Sequence, residues 1–153
     1  MKKIILFVVS GVATFFCMSY GGSHFVPERC HAEFSFIRGD DKLNLVTFQR
    51  LFSGVGTVSV SGVLSDKGKT VGYISKTISF SYEKKDNVYL ATSRVISVSP
   101  QMSLSREVEK EWFPPFFYDV GQTLVWTARP VTHHSSLVLT GTTPLFICEK
   151  NAD

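Results

Sequence analysis

Four histidines, His24, His31, His133 and His134, are the side chains best suited to metal or proton chemistry in this 153-residue chain. His133 and His134 are adjacent within "RPVTHHS", which reads as a turn. On a strand two neighbours would point to opposite faces. In a turn they could share a metal, but no acid or cysteine stands at ligand spacing, so a solvated turn is expected. The pair is kept as a candidate pH sensor, because imidazole changes charge near neutrality. His31 falls on the outward phase of a strand, and Asp40–Asp41 reads as a turn. No G-x-S-x-G elbow is present, and no S-x-x-K stands beside a K-T-G. A phosphate-cradling glycine loop is absent too. No catalytic residue, metal site or cofactor is expected, and the chain is not read as an enzyme.

The remaining chemistry belongs to sulfur, and it depends on the compartment. Lys2 and Lys3 precede residues 4–20, which carry no charge. A positive flank followed by an apolar stretch marks an exported chain whose C-terminal part lies outside the cytoplasm. The stretch is near the lower limit for crossing ~30 Å of hydrocarbon. It reads as a signal anchor over 1–22. The alternative is a signal peptide cut after Gly21, with Ser19 and Gly21 as the small residues. Outside the cytoplasm thiols oxidise. Cys17 lies in the apolar stretch, so Cys30 and Cys148 are left to pair with each other. The other reading is two buried, unpaired thiols.

Residues 23–29 read as a linker and 30–153 as one periplasmic domain. That is length enough for a single core. The formal charge is +3, and Lys2 and Lys3 account for two of it. The domain is therefore nearly neutral and offers no basic stripe to nucleic acid. "CHAEFSF" places Cys30, Ala32, Phe34 and Phe36 on one face, the period-two pattern of a half-buried strand. In "KLNLVTFQRLF" Leu43 and Leu45 share one phase and Val46 and Phe48 the other, so a bulge is expected there. "TVSVSGVL" turns Val58, Val60 and Leu64 inward, with Gly62 marking a bend. Ile74, Ile78, Phe80 and Tyr82 are in phase, as are Val88, Leu90, Ile96 and Val98, where Arg94 interrupts the face.

The alternation breaks at "SREVEKEW". Leu104, Val108 and Trp112 recur every fourth residue, and Ser105 can cap a short helix over 105–112. Pro114 and Pro115 stop it. Trp112, Phe113, Phe116, Phe117 and Tyr118 then crowd together. They read either as a lid over one end of the fold or as a contact site for a protein partner or small apolar ligand. "QTLVWTA" and a hairpin around Gly141 complete the chain. About eight strands at even spacing with hairpin-length connections predict an all-β, mainly antiparallel fold. It is a small lipocalin-like barrel or a sandwich, with one short helix.

Taken together, an apolar anchor, the cysteine-led "CHAEFSF", "GVGTVSVSGVLSDKG", "ISKTISFSYEKKDNVYLATS" and the closing "PLFIC" resemble the FidL-like family of enterobacterial membrane proteins. In layout they are similar to PsaF, MyfF and the ToxS-type accessory proteins. The resemblance covers about residues 30–149. It implies a single-pass inner-membrane protein that binds and stabilises the periplasmic sensor domain of a ToxR-like transcription regulator. It would thereby modulate virulence or fimbrial gene expression, with no direct contact to nucleic acid. The alternatives are a carrier of a small apolar ligand and an envelope or fimbrial assembly chaperone.

Overall fold

The computed structural model describes residues 28–150. The expected membrane segment, 1–22, lies outside them. Among the described residues no helix is long and apolar enough to cross a membrane. The linker ends earlier than the sequence suggests, because Glu28 and Arg29 already pair with Leu51 and Arg50.

Eight antiparallel strands form a closed barrel in chain order. They are β1 (Glu28–Arg38), β2 (Asp41–Phe52), β3 (Val55–Asp66), β4 (Lys69–Lys85), β5 (Val88–Val98), β6 (Thr123–Pro130), β7 (Ser135–Thr140) and β8 (Thr143–Glu149). Tight turns hold the meander. Ser53–Gly54 and Lys67–Gly68 both take positive φ at each central residue, the hairpin geometry whose twist matches that of the flanking strands.

Inward positions are filled by Leu43, Val60, Ile74, Ile78, Phe80 and Ala91, each at most 3% exposed. Hydroxyls line the outside of the same strands, where Ser59 and Thr77 share a hydrogen bond of 2.9 Å. An aromatic column runs along the interior: Tyr89 stacks on Trp126 at 5.2 Å, Trp126 meets Phe80 edge-on at 6.0 Å, and Phe80 meets Phe116 at 5.6 Å.

Three local expectations are corrected. No bulge interrupts β2, whose register with both neighbours is continuous. Thr47 and Leu51 carry on the inward phase of Leu43 and Leu45, and Val46 and Phe48 face out. On β5 the bulge lies at Arg94, because Ser79 pairs with Val95 and Phe80 with Ser93. The extra residue inverts the phase. Tyr89, Ala91 and Ser93 point inward below it, while Val88, Leu90 and Val98 are exposed. Gly62 marks a close approach and no bend. Its register is unbroken, and a Cβ there would lie 2.2 Å from the Asn44 carbonyl oxygen.

The wall is uneven. β2 and β3 have 12 residues each and β4 has 17, against 8, 6 and 7 for β6, β7 and β8. Closure is the weakest join. Among the described residues the β1–β8 register holds one pair, His31 with Glu149. Beside it Cys30 and Cys148 form a disulfide, with Cα atoms 5.3 Å apart and a sequence separation of 118. The staple therefore supplies what the ladder lacks.

Replacing Cys30 and Cys148 with alanine together should lower the unfolding free energy by up to about 4–5 kcal/mol, the chain-entropy value for so long a loop. Urea midpoints with and without reductant measure this. A double variant as stable as the oxidised protein would mean the seam holds without sulfur.

Candidate functional site

The barrel has two unlike ends. The lower end carries the β2–β3, β4–β5 and β6–β7 turns together with Glu28 and the disulfide. The upper end carries the β1–β2, β3–β4 and β7–β8 turns and is crossed by residues 99–122, which run from β5 to β6.

This strap is the segment that breaks the alternation. Its first part continues along the edge that β5 vacates: Ser99 N donates to Ser75 O at 2.9 Å, and Ser103 N to Tyr73 O at 2.9 Å. Then α1 (Arg106–Trp112) begins, with Ser105 accepting from Val108 N as the N-cap, as the sequence predicts. After α1 a 3₁₀ turn (Pro115–Phe117) drops Phe116 into the core, 1% exposed. Phe113 is buried beside it, whereas Trp112, Phe117 and Tyr118 stay half-buried. The aromatic cluster is thus divided, with two rings plugging the barrel and three left at the rim. Ser93, fully buried on β5, anchors the far end. Its hydroxyl donates to Asp119 O at 2.8 Å and accepts from Gln122 N at 3.1 Å.

An ion pair fastens the strap from below. Lys76 points inward between Ile74 and Ile78 and pairs with Glu109 of α1, the two side chains being 1% and 9% exposed. Lys76 Nζ also donates to Phe117 O at 2.9 Å. Sequence reading missed this pair. The signal was a lysine two residues from inward isoleucines on either side, a position that demands an acid. At the rim Arg38 donates from Nη2 to the Glu111 carbonyl oxygen at 2.9 Å and lies 4.8 Å over the Trp112 ring.

Under the strap lies a cavity of ≈ 450 Å³, walled mainly by Phe34, Phe36, Leu45, Phe117, Leu145 and Phe146. Phe34 stacks on Phe146 at 4.7 Å across the β1–β8 seam, so side chains bridge the strands where the backbone ladder stops. A deeper space of ≈ 60 Å³, floored by Phe80, Phe116 and Trp126, adjoins it.

The lower end is polar. Glu28 accepts from Lys84 Nζ at 3.1 Å and from Tyr89 OH at 3.0 Å. Burial pushes the Glu28 carboxyl up. The hydrogen bonds from Lys84 and Tyr89 and the charges of Lys84 and Lys150 outweigh it, and hold the group below its ordinary 4.5. His133 and His134 are exposed in the β6–β7 turn at this end, with the His134 carbonyl accepting from Lys150 N at 2.7 Å. They are separated from the aromatic cluster by the length of the barrel. His31, on β1, has its Nε2 3.8 Å from a Glu33 oxygen. No group of three metal-ligating side chains occurs among the described residues.

A family model described as the YqeJ C-terminal domain matches residues 27–148. No curated protein matches the chain.

Lys76→Met should destabilise the barrel by about 3–5 kcal/mol, because it strands the Glu109 carboxylate. Adding Glu109→Met should recover much of that loss in denaturant titrations. A single variant as stable as the double one would remove the ion pair as the strap's fastening. At the lower end, Glu28 contributes stability above pH 4.5 that is lost as pH falls through its depressed folded value. Glu28→Gln should therefore flatten the acid limb of stability against pH. An unchanged limb would place that pH dependence elsewhere.

Proposed function

The chain belongs to the YqeJ C-terminal domain family, and from that premise we propose that it is a periplasmic accessory protein. It binds and stabilises the sensor domain of a ToxR-like membrane transcription regulator. The finer likeness to FidL-like proteins is part of this proposal, as are a single-pass inner-membrane anchor and a role in virulence or fimbrial gene expression.

One observation carries the reading: an open seam beside an aromatic roof. Past His31 and Glu149, β1 and β8 share no ladder pair among the described residues. The top of β1 ends in Ile37, 74% exposed, next to Arg38 and Trp112. An unpaired strand edge gives main-chain hydrogen bonds to a partner strand, and pockets beside it give specificity. Half-buried aromatics at the rim are the residue types that dominate interface energetics. A partner that binds the folded barrel and not the unfolded chain stabilises it by mass action, and is itself stabilised in return.

The test is retention of the periplasmic domain of a candidate winged-helix, single-span regulator by the full-length protein. Ile37→Asp should cut retention about tenfold or more without lowering the barrel's own melting temperature, and Trp112→Ala should cut it at least as far. If the parent protein retains nothing, and regulator abundance is unchanged in its absence, the accessory role fails. Full retention by Ile37→Asp would move the interface off the seam. His133 and His134 are the proposed carriers of any acid response. Changing both to glutamine should blunt the pH dependence of retention, and an unaltered dependence removes them from the reading.

A further inference from the structure

We propose that the upper cavity binds a free fatty acid, its tail directed down the barrel and its carboxylate on Arg38. This goes beyond the accessory role and stands or falls separately from it.

The shape favours a single flexible chain. The cavity of ≈ 450 Å³ is within the size range of ligand pockets. It narrows into the deeper space of ≈ 60 Å³, with which it shares Leu124, Thr140, Leu145 and Phe146. A polymethylene tail follows such a taper by rotating about single bonds, whereas a fused-ring nucleus keeps its width.

The wall chemistry agrees. Of the side chains lining the upper cavity, Arg38, Thr47 and Thr140 are polar. Thr47 is buried and already donates to the Ala32 carbonyl, at 3.5 Å. A tail therefore meets hydrocarbon along nearly its whole path.

Arg38 fixes the headgroup. Its guanidinium is held from one side by the Glu111 carbonyl and from below by the Trp112 ring. No carboxylate among the described residues forms an ion pair with it. A guanidinium has five N–H donors in a planar fork that matches a carboxylate. With one donor spent on Glu111, the fork is pre-oriented at the mouth of an apolar space, and preorganisation lowers the cost of binding. A neutral alcohol of equal length would leave that charge unanswered.

The experiment photolabels the full-length chain in isolated membranes with a diazirine-bearing dodecanoic acid. Adducts are expected on peptides containing Phe34 and Phe36 or Leu145 and Phe146. Unlabelled fatty acids should compete about fourfold better per added methylene until the tail reaches the Phe80–Phe116 floor. Dodecanol should compete about tenfold less well than dodecanoate, and Arg38→Gln should erase that difference. Leu145→Trp, placed where the two spaces meet, should abolish labelling while the protein still migrates as an oxidised, folded species. If that variant does not fold, the chain-length series and Arg38→Gln decide the matter. Equal competition by dodecanol overturns the proposal. So does stronger competition by a steroid carboxylate or a lysophospholipid, or labelling confined to the outer face.

Discussion

Closing a meander into a barrel demands that its two ends meet, and here the meeting is almost entirely covalent. Six of the eight joins are hairpins whose ladders begin at a turn, and a seventh, β5 to β6, is made through the strap of residues 99–122. The eighth unites residues from opposite ends of the domain through one backbone pair and the Cys30–Cys148 bridge. Without that constraint β1 and β8 would both be free edges, a known hazard for sheet proteins. With it, the seam is pinned at the lower end and filled above by Phe34 and Phe146. Cavity, exposed edge and roof all follow from this uneven closure.

The roof depends on a second, electrostatic fastening. A lysine in a barrel interior is costly unless an acid reaches it, and α1 brings Glu109 to Lys76. Ser93 holds the other end of the strap through backbone groups. Fixed at both points, the strap can leave Trp112, Phe117 and Tyr118 half-buried while Phe113 and Phe116 plug the core. Three of these five rings, Trp112, Phe113 and Phe117, line the apolar chamber together with residues of the wall.

Much of this was legible in the residues. Strict alternation in "CHAEFSF" and "TVSVSGVL" identified β1 and β3 and their inward faces, and the spacing of Leu104, Val108 and Trp112 behind Ser105 identified α1. Cysteine count and the expected compartment pointed to the disulfide. What escaped were events that a periodicity cannot see. The bulge at Arg94 swaps the faces of β5 without changing composition. Long β-branched and aromatic side chains on β2 and β5 look like core whichever way they point, so Val46, Phe48, Val88 and Leu90 were misread or left ambiguous. Lys76 was passed over because its partner lies 33 residues on, in another element. The cavity depends on unequal strand lengths and on how far a strap descends, and neither is a local property.

The chain-order ladder also bears on how the barrel is made. Each strand pairs with the one just synthesised, and β1 to β5 can grow hairpin by hairpin through short loops, which close quickly. After the strap, the longest-range join waits until β8 arrives. Loop closure over so many residues is then entropically unfavourable by only a slowly growing, logarithmic amount. Native oxidation therefore belongs to the final step of assembly, and a half-grown sheet spends its lifetime with the β1 edge exposed.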